Sequence, residues 1–408
     1  MIRLVIIADD FTGAMDTGVQ FVKQGIATMV TSRLDIDLKK FSPSIEVLAV
    51  NTNSRHDAPE VAGQKVKKII KKITESNVDY IYKKTDSALR GNVGIELEMV
   101  WRETKVEQLP FVPAYPMNNR VTVEGCQYVD GLPVNLSKAG QDIFTPVDSA
   151  IIAEIIHKQS KIPVTHTSFW RNTPSLKGVC VYNASSNEEL ERIGQTLKSG
   201  NQISVTAGCA GFAEYLPEIL ELNKTCIKLS VRGGNILIVS GSVNEIAIRQ
   251  VEHMCKSGIQ VVTLADMDEK ADLDRILKSA EKGMQGQGVF IVESVNNVNQ
   301  VDQRKEWLQG NRTAAMDKIA AIVKVIMEKI TVETLFVTGG DTLKRIMDEL
   351  NLDGIIPNFE LIPGIVFGNV NGINLQIISK SGGFGNVDVI EKALKQLLKL
   401  QDLQEQNK

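Results

Sequence analysis

Short apolar runs recur along this chain, and each is followed by a polar loop and then a helical pattern. The first run, Leu4–Ala8, is apolar at every position, as expected of a strand buried on both faces, and a helix is predicted from Asp16 to Gln24. The same order recurs after Val47–Val50, after Tyr80–Tyr82 and after Ile203–Val205. Because strands that alternate with helices usually pair in parallel, the sequence predicts an α/β fold with mostly parallel sheets flanked by helices.

The chain length and a second series of strands predict two domains. At 408 residues, 43% of them hydrophobic, the chain exceeds what one compact core usually holds. The polar stretch Asn223–Asn235 is the predicted linker, and we place the domains at residues 1–225 and 232–398. Five prolines interrupt residues 110–150, an apparent insertion in which Gln127–Leu132 is predicted to form a hairpin. The strands predicted in the second domain are Ile236–Val239, Val261–Leu264, Val289–Val292, Thr334–Val337 and Leu375–Ile378.

Charge, cysteine pattern and hydropathy exclude several classes of protein. The 46 Lys+Arg and 49 Asp+Glu residues give a net charge of -3, which provides no broad positive field for nucleic acid or an anionic membrane. The five cysteines include no Cys-x-x-Cys pair, so we expect buried reduced thiols. The first apolar run is too short for a signal peptide or a membrane span, which predicts a cytoplasmic location. The four histidines show no ligand spacing, so no protein metal site is predicted.

Charged and hydroxyl side chains follow the predicted strands of the first half. Asp9 and Asp10 end the first strand, where a carboxylate could accept a proton from a hydroxyl, bind a polyol or hold Mg²⁺. Arg55 occupies the equivalent place after the next strand. The loop Lys83–Asn92 suits an anionic, hydroxylated ligand, because Arg90 could bind a carboxylate with two hydrogen bonds while Lys83 or Lys84 acts as a point charge.

Three glycine-containing loops follow strands of the second half: Ser240–Ser242, Thr338–Thr342 and Lys380–Gly385. Free backbone N–H groups at a helix N-terminus attract phosphate, and glycine lets the backbone approach it closely. In open α/β sheets, ligands bind beyond the carboxyl ends of the strands, where these loops should lie. The chain has neither the Gly-Lys-Ser/Thr pattern of a P-loop nor a G-x-G-x-x-G fingerprint, so a nucleotide would be held by another scheme.

Ordinary structural roles remain open for the same residues. Caps and turns use the same residue types as ligand sites, and surface arginines commonly pair with acids. The alternatives are Asp10 or Thr12 as a helix cap, Asp86 as the cap of a solvated turn, Arg55 in a surface salt bridge, and Ser242 and Thr342 as N-caps.

Six stretches in register resemble the four-carbon acid sugar kinase family. They cover nearly the whole chain and are Ile7–Ala14, Lys84–Asn92, Pro113–Pro116 with Arg120, Ser240–Ser242, Gly339–Thr342 and Lys380–Gly385. The resemblance implies a sugar-acid domain and a nucleotide domain facing each other across a cleft, with ATP phosphorylating the terminal (4-) hydroxyl of D-threonate or D-erythronate. A 3-oxo-tetronate kinase and a non-catalytic sugar-acid sensor stay open, as does a homo-oligomer. The family loop often has Thr where this chain has Ala88, so one hydroxyl of the family motif is absent at this position.

The resemblance also assigns site residues by matched motif. Those implied for the substrate are Asp9, Asp10, Arg55, Lys84, Thr85, Asp86, Ser87 and Arg90. Those implied for ATP are Ser240, Ser242, Gly339, Gly340, Asp341, Thr342 and Gly382. Phosphoryl transfer needs charge neutralisation by Mg²⁺ and an acid that orients the attacking hydroxyl. Asp10 is the predicted acid with Asp86 as its rival, and Asp341 is the candidate for orienting the Mg²⁺–nucleotide complex.

Overall fold

A computed structural model of the chain describes residues 1–142, 144–168, 177–225, 230–264, 273–295 and 305–406. Its contacts divide the chain into two units, Met1–Ile227 and Lys228–Lys408. The stretch predicted as a linker, Asn223–Asn235, includes residues 226–229, which lie outside the described residues.

The first unit is built on a parallel sheet, as predicted for the class of fold. The strands lie in the order β2-β3-β1-β4-β11-β5-β10-β9, and each neighbouring pair is parallel. The strands are β1 (Leu4–Ala8), β2 (Thr28–Thr31), β3 (Val47–Asn51), β4 (Tyr80–Lys84), β5 (Gln108–Val112), β9 (Val164–Thr167), β10 (Gly178–Tyr182) and β11 (Val205–Gly208). The helices are α1 (Phe11–Lys23), α2 (Pro59–Thr74), α3 (Val93–Thr104), α4 (Ile152–His157), α5 (Asn187–Ser199), α6 (Ala210–Ala213) and α7 (Leu216–Ile219).

The proline-rich insertion carries a small antiparallel sheet of β6 (Arg120–Val123), β7 (Cys126–Val129) and β8 (Leu132–Pro133). Its β7–β8 turn confirms the predicted hairpin. Asp130 and Gly131 both have positive φ angles, 51° and 78°, which is the conformation of a tight two-residue hairpin turn.

The second unit is built on a mixed sheet. Its strands lie in the order β13-β14-β12-β15-β18-β17-β16, parallel from β13 to β18 and antiparallel beyond. They are β12 (Ile236–Ser240), β13 (Gln260–Thr263), β14 (Val289–Glu293), β15 (Thr334–Thr338), β16 (Ile355–Ile362), β17 (Ile365–Val370) and β18 (Gln376–Lys380). The helices are α8 (Glu245–Lys256), α9 (Leu273–Gln287), α10 (Lys305–Lys329), α11 (Gly340–Glu349) and α12 (Val389–Gln406).

The structure differs from the sequence prediction in several places. Strands β2, β5, β9 and β10 of the first unit were not predicted. Helix α1 begins at Phe11, before the predicted Asp16, because Asp10 caps it. The strand predicted at Ile203–Val205 forms two residues later, as β11. The antiparallel pair β16–β17 was not predicted; two register shifts interrupt its alternation, which removes the regular period of two from the sequence.

Two further properties concern the described residues only. None of their helices is long and apolar enough to cross a membrane. Cys180 and Cys209 are buried thiols, as predicted. Cys126 and Cys255 are only half-buried, which differs from the prediction. The fifth cysteine, Cys226, lies outside the described residues.

A buried ion pair joins helix α3 to the sheet of the first unit. Lys83 Nζ lies 2.7 Å from Glu96 Oε2, and both side chains are almost completely excluded from solvent. Lys83 also donates to the carbonyls of Ile7 and Lys84, at 3.2 and 2.7 Å. The Ser54 hydroxyl donates to the other oxygen of Glu96. The pair therefore fixes α3 against the chain at the ends of β1, β3 and β4.

Removing the charge of Glu96 should destabilise the protein strongly. In Glu96→Gln the shape is kept, but Lys83 becomes a buried charge without its partner, which costs about 3 kcal/mol. We expect a clear fall in the urea midpoint of unfolding. The control is Glu98→Gln on the same helix, because Glu98 pairs with Arg102, which is 60% exposed, and should lose less than about 1 kcal/mol. Equal shifts in the two variants would contradict this assignment.

Candidate functional site

The sheet of the first unit brings three predicted polar loops together. Asp9 and Asp10 follow β1, Arg55 follows β3, and the loop Thr85–Arg90 follows β4. Because β3, β1 and β4 are neighbouring parallel strands, their carboxyl ends meet at one edge of the sheet.

Arg55 joins the carboxylates at this edge. Its Nε and Nη2 atoms lie 2.7 and 3.1 Å from the two oxygens of Asp9. The same Nη2 lies 2.7 Å from Asp10 Oδ1 and 3.7 Å from Asp86 Oδ1. Only 11% of the Arg55 side chain is exposed, so the alternative of a surface salt bridge is wrong.

Arg90 is occupied by Asp86 in the same way. Its Nε and Nη2 donate to the two oxygens of Asp86 at 2.8 and 2.9 Å, and Nη1 lies 3.4 Å from Asp142 Oδ2. Asp86 also accepts the backbone N–H groups of Ala88 and Arg90, so it caps this turn. The pair of N–H groups predicted to bind a substrate carboxylate, on Nε and Nη2, therefore binds Asp86 instead. Nη1 is the nitrogen with a longer contact, at 3.4 Å, and could bind a further carboxylate.

The same charges set the three acids apart in pKa. Burial opposes ionisation of Asp9, but Arg55, Lys84 and Lys83 outweigh it and hold its pKa below the usual value. For Asp86, burial is likewise outweighed by Arg90 and Arg55, and its pKa is lowered strongly. For Asp10 the effect of burial, reinforced by Asp9 and Asp86, wins over Arg55, and its pKa is raised. Asp10 is thus the acid of this group that holds a proton most readily.

Asp10 has one oxygen engaged and one open. Its Oδ1 accepts the Gly13 N–H at 3.1 Å, so Asp10, and not Thr12, is the N-cap of α1. The same oxygen accepts a hydrogen bond from Arg55 Nη2. Among the described residues, none donates a hydrogen bond to Oδ2. The side chain is 16% exposed, against 3% for Asp9. Capping and availability to a ligand are therefore compatible in this residue.

Lys84 is a buried cation beside this carboxylate. It is 5% exposed, and within the described parts of the chain its ammonium makes no hydrogen bond or ion pair. A Cβ at Gly13 would lie 2.5 Å from Lys84 Nζ and 2.4 Å from Asp10 Oδ1, so only glycine permits this approach. Of the two lysines considered from sequence, Lys83 is committed to Glu96, and Lys84 keeps its donors available.

The remaining predicted substrate residues lie on the same loop. The Thr85 hydroxyl donates to the Gly208 carbonyl at 3.3 Å. The Ser87 carbonyl accepts Gln127 Nε2 at 2.9 Å, which ties the loop to the small sheet of the insertion. Gln127 and Asp142 were missed by the sequence analysis, and the only signal for them was their place in the insertion.

The second unit brings its three glycine loops together at the carboxyl edge of its own sheet. They follow β12, β15 and β18, which are neighbours. A Cβ at Gly241 would lie 2.1 Å from Thr342 Oγ1, and one at Gly382 would lie 2.2 Å from Ser242 Oγ. Gly339 has φ 109° and precedes α11, whose first residues are Gly340 and Asp341. Ser240, the last residue of β12, is buried at this edge.

The capping alternatives for these loops are wrong. Helix α8 is capped by Asn244, whose side chain accepts the Ile246 N–H at 3.0 Å, and Ser242 Oγ accepts the Asn244 N–H at 3.2 Å. Helix α11 begins after Gly339 without a side-chain cap, and Thr342 is buried within its first turn.

The described residues contain no group of three or more His, Cys, Asp or Glu side chains placed to hold a metal ion. Magnesium bound with a nucleotide takes most of its ligands from phosphates and water, with one or two carboxylates from the protein. Asp341, in the first turn of α11, places a carboxylate at the glycine loops.

Two domain families match the chain. The sugar-binding N-terminal domain matches residues 4–216, and the nucleotide-binding C-terminal domain matches residues 237–390. Among curated proteins, the chain is 28% identical to a D-threonate kinase of Salmonella typhimurium over 96% of its length and 97% of the relative. It is 27% identical to a D-erythronate kinase of Heliobacterium modesticaldum, with 95% of each chain covered. It is 20% identical to a 3-oxo-tetronate kinase of Pectobacterium atrosepticum, over 97% of this chain and 99% of that one.

Solved structures show the same fold. A protein from Haemophilus influenzae, 19% identical, has a TM-score of 0.72 and covers 96% of this chain and 99% of its own. The two domain matches occur in the expected order and account for most of the sequence. On this evidence, together with the full-length relatives, the chain belongs to the four-carbon acid sugar kinase family.

Proposed function

We propose that this protein is an ATP-dependent kinase that phosphorylates the terminal (4-) hydroxyl of a four-carbon sugar acid, D-threonate or D-erythronate. The single observation that carries the proposal is an open carboxylate oxygen close to a cation that forms no hydrogen bond or ion pair among the described residues. Asp10 offers Oδ2, and the Lys84 ammonium lies beside the same residue, next to Gly13. A sugar acid carries both complementary groups, a hydroxyl and a carboxylate.

Asp10 fits the role of the acid that orients and deprotonates the acceptor hydroxyl. A general base must be reachable and must take up a proton with some ease. Asp10 is more exposed than Asp9 and has the raised pKa of the group. Its rival Asp86 has a strongly lowered pKa and both oxygens in hydrogen bonds to Arg90, which suits a permanent negative charge.

Lys84 fits the role of the carboxylate anchor. Its ammonium interacts electrostatically with Asp9, Asp10 and Asp86 but forms no hydrogen bond among the described residues, and a substrate carboxylate would supply a charge-assisted one. Arg90 Nη1 could add a contact, since its one other partner among the described residues is Asp142, at 3.4 Å. A neutral polyol would leave Lys84 unsatisfied, so the site favours acids.

On the nucleotide side, the proposal assigns ATP to the loops that contain Ser240, Ser242, Gly339–Thr342 and Gly382. Glycine positions where a Cβ would collide with a neighbouring loop allow backbone N–H groups to approach phosphates closely. Asp341 would hold the Mg²⁺ that neutralises the triphosphate charge. Phosphoryl transfer of this kind depends on positioning and charge more than on covalent chemistry.

We propose D-threonate or D-erythronate as the substrate, and not a 3-oxo acid, on the basis of the relatives. A D-threonate kinase and a D-erythronate kinase are 28% and 27% identical to this chain, whereas a 3-oxo-tetronate kinase is 20% identical. A non-catalytic sensor is the alternative from another class. It would bind a sugar acid and leave ATP unused.

A coupled ADP-release screen over the stereoisomers of C4 and C5 sugar acids tests the substrate. We expect turnover with D-threonate or D-erythronate and none with the neutral tetritols threitol and erythritol. Turnover of 3-oxo-tetronate alone would support that alternative. Turnover confined to neutral tetritols would contradict the acid-binding role of the basic loop. Binding of a sugar acid without ADP release would indicate a sensor.

Asp10→Asn should lower kcat by about 100-fold or more, the usual contribution of a positioned general base. Asparagine still caps a helix, so folding should be preserved. Because the ionised form is needed, wild-type kcat should fall as the pH drops through the raised pKa of Asp10. Single-turnover transfer measures the step directly, with Asp37→Asn as a control, since Asp37 also caps a turn but is exposed. A rate within about threefold of wild type would rule out an essential base.

Lys84→Met should weaken binding of the sugar acid at least thirtyfold, about 2 kcal/mol, by removing the partner of a buried charge. Calorimetry with the sugar acid measures the loss, while nucleotide affinity should stay within twofold. The control Lys67→Met removes a lysine that pairs with Glu103 on the surface. If Lys84→Met bound the acid normally and lost only kcat, Lys84 would act on the transferred phosphoryl group and not as the anchor.

A further inference from the structure

A third buried lysine, Lys380, lies in the nucleotide-binding unit, outside the residues assigned above. Lys380 is the last residue of β18 and is fully buried. It pairs in register with Thr338 of β15, which pairs with Ser240 of β12. Paired residues of neighbouring strands project to the same face, so the three side chains form one row at the carboxyl edge.

The ammonium of Lys380 bonds to the backbone of a glycine loop. Nζ donates to the Ser381 carbonyl at 2.7 Å and lies 3.4 Å from the Gly382 carbonyl. Within the described residues no carboxylate pairs with it, in contrast to Lys83, which has Glu96. A buried cation held only by carbonyl groups is costly unless an anion joins it.

The two carbonyls determine where the next N–H groups point. In a trans peptide, C=O and N–H lie in one plane and point in opposite directions. With the Ser381 and Gly382 carbonyls drawn toward Lys380, the N–H groups of Gly382 and Gly383 face away from it. Neither N–H donates a hydrogen bond to any described residue. Successive free N–H groups of this kind form an anion-binding concavity.

Among the described residues, no charged side chain shifts the pKa of Lys380. The neighbouring strands β15 and β17 carry no charged side chain. Helices α8 and α12 pack against Ile378, on the face of β18 that Lys380 shares. They carry Glu245, Arg249, Glu252, His253, Lys256, Glu391, Lys392, Lys395, Lys399 and Asp402. Helix α11, which also contacts β18, carries Asp341, Lys344, Arg345, Asp348 and Glu349. Burial lowers the pKa of Lys380 to about 7, and none of these groups contributes to the shift. The lysine can therefore gain or lose its proton near neutral pH.

We propose that Lys380 is a positioning residue for the nucleotide phosphates, which holds the Ser381–Gly383 backbone with its N–H groups outward and takes up a proton when the phosphates bind. The inference rests on the proposed nucleotide site and adds a linked proton to it. An anion near the ammonium favours the charged form, so the pKa rises in the complex. Between the free and bound pKa values, the complex carries a proton that the free protein lacks, and affinity weakens as the pH rises through that range.

Calorimetric titration of the full chain with MgADP at pH 8, in buffers of different ionisation enthalpy, tests the inference. MgADP itself is deprotonated at this pH, so uptake reports on the protein. We expect uptake approaching about one proton per nucleotide in the wild type. Lys380→Arg, which stays charged, should bind nucleotide without this uptake. Lys380→Met should bind nucleotide at least tenfold more weakly and keep sugar-acid affinity within twofold, which also shows that it folds.

The control is Lys395→Met, which removes an exposed lysine paired with Glu391 and should leave proton uptake unchanged. Wild-type binding without proton uptake would overturn the inference and leave the proposed function standing. Equal uptake in wild type and Lys380→Arg would overturn it as well. Failure of the wild type to bind MgADP at all would instead defeat the proposed nucleotide site.

Discussion

One guanidinium joins the polar loops at the carboxyl edge of the sheet in the first unit. Arg55 touches Asp9 and Asp10 from the loop after β1 and approaches Asp86 from the loop after β4. Three carboxylates gathered at one sheet edge would repel each other strongly without a central cation. The Asp9 carbonyl also accepts the backbone N–H groups of Ser54 and Arg55, so the two loops are joined by backbone as well as by charge.

This internal neutralisation decides which groups remain for chemistry. Arg55 and Arg90 form ion pairs with the acids around them, and Lys83 forms an ion pair with Glu96. Among the described residues, one oxygen of Asp10 and the ammonium of Lys84 form no hydrogen bond. Groups with a perturbed pKa cluster at functional sites, and the pKa of Asp10 is raised.

The sequence predicted the strands and their ends better than the partners at those ends. Leu4–Ala8 matches β1 residue for residue, because a continuous apolar run bounded by Asp9 leaves little freedom. The loops gathered at each edge follow from parallel pairing alone. Pairing between side chains depends on the third dimension, so neither the Arg90–Asp86 contact nor the isolation of Lys380 was visible in the order of residues. The position of Asp10 was predicted, but not that one oxygen caps α1 while the other stays open.

The adjacent lysines at the end of β4 divide two tasks between the two faces of one strand. Lys83 faces Glu96 of α3, whereas Lys84 faces Gly13 of α1. Because successive side chains of a strand alternate, inserting or deleting one residue within β4 would exchange their faces. A deletion, for example, would place Lys84 opposite Glu96 and Thr85 beside Gly13, so the edge near Asp10 would lose its ammonium group. The length of β4 is therefore constrained by the separate contacts of its last two residues.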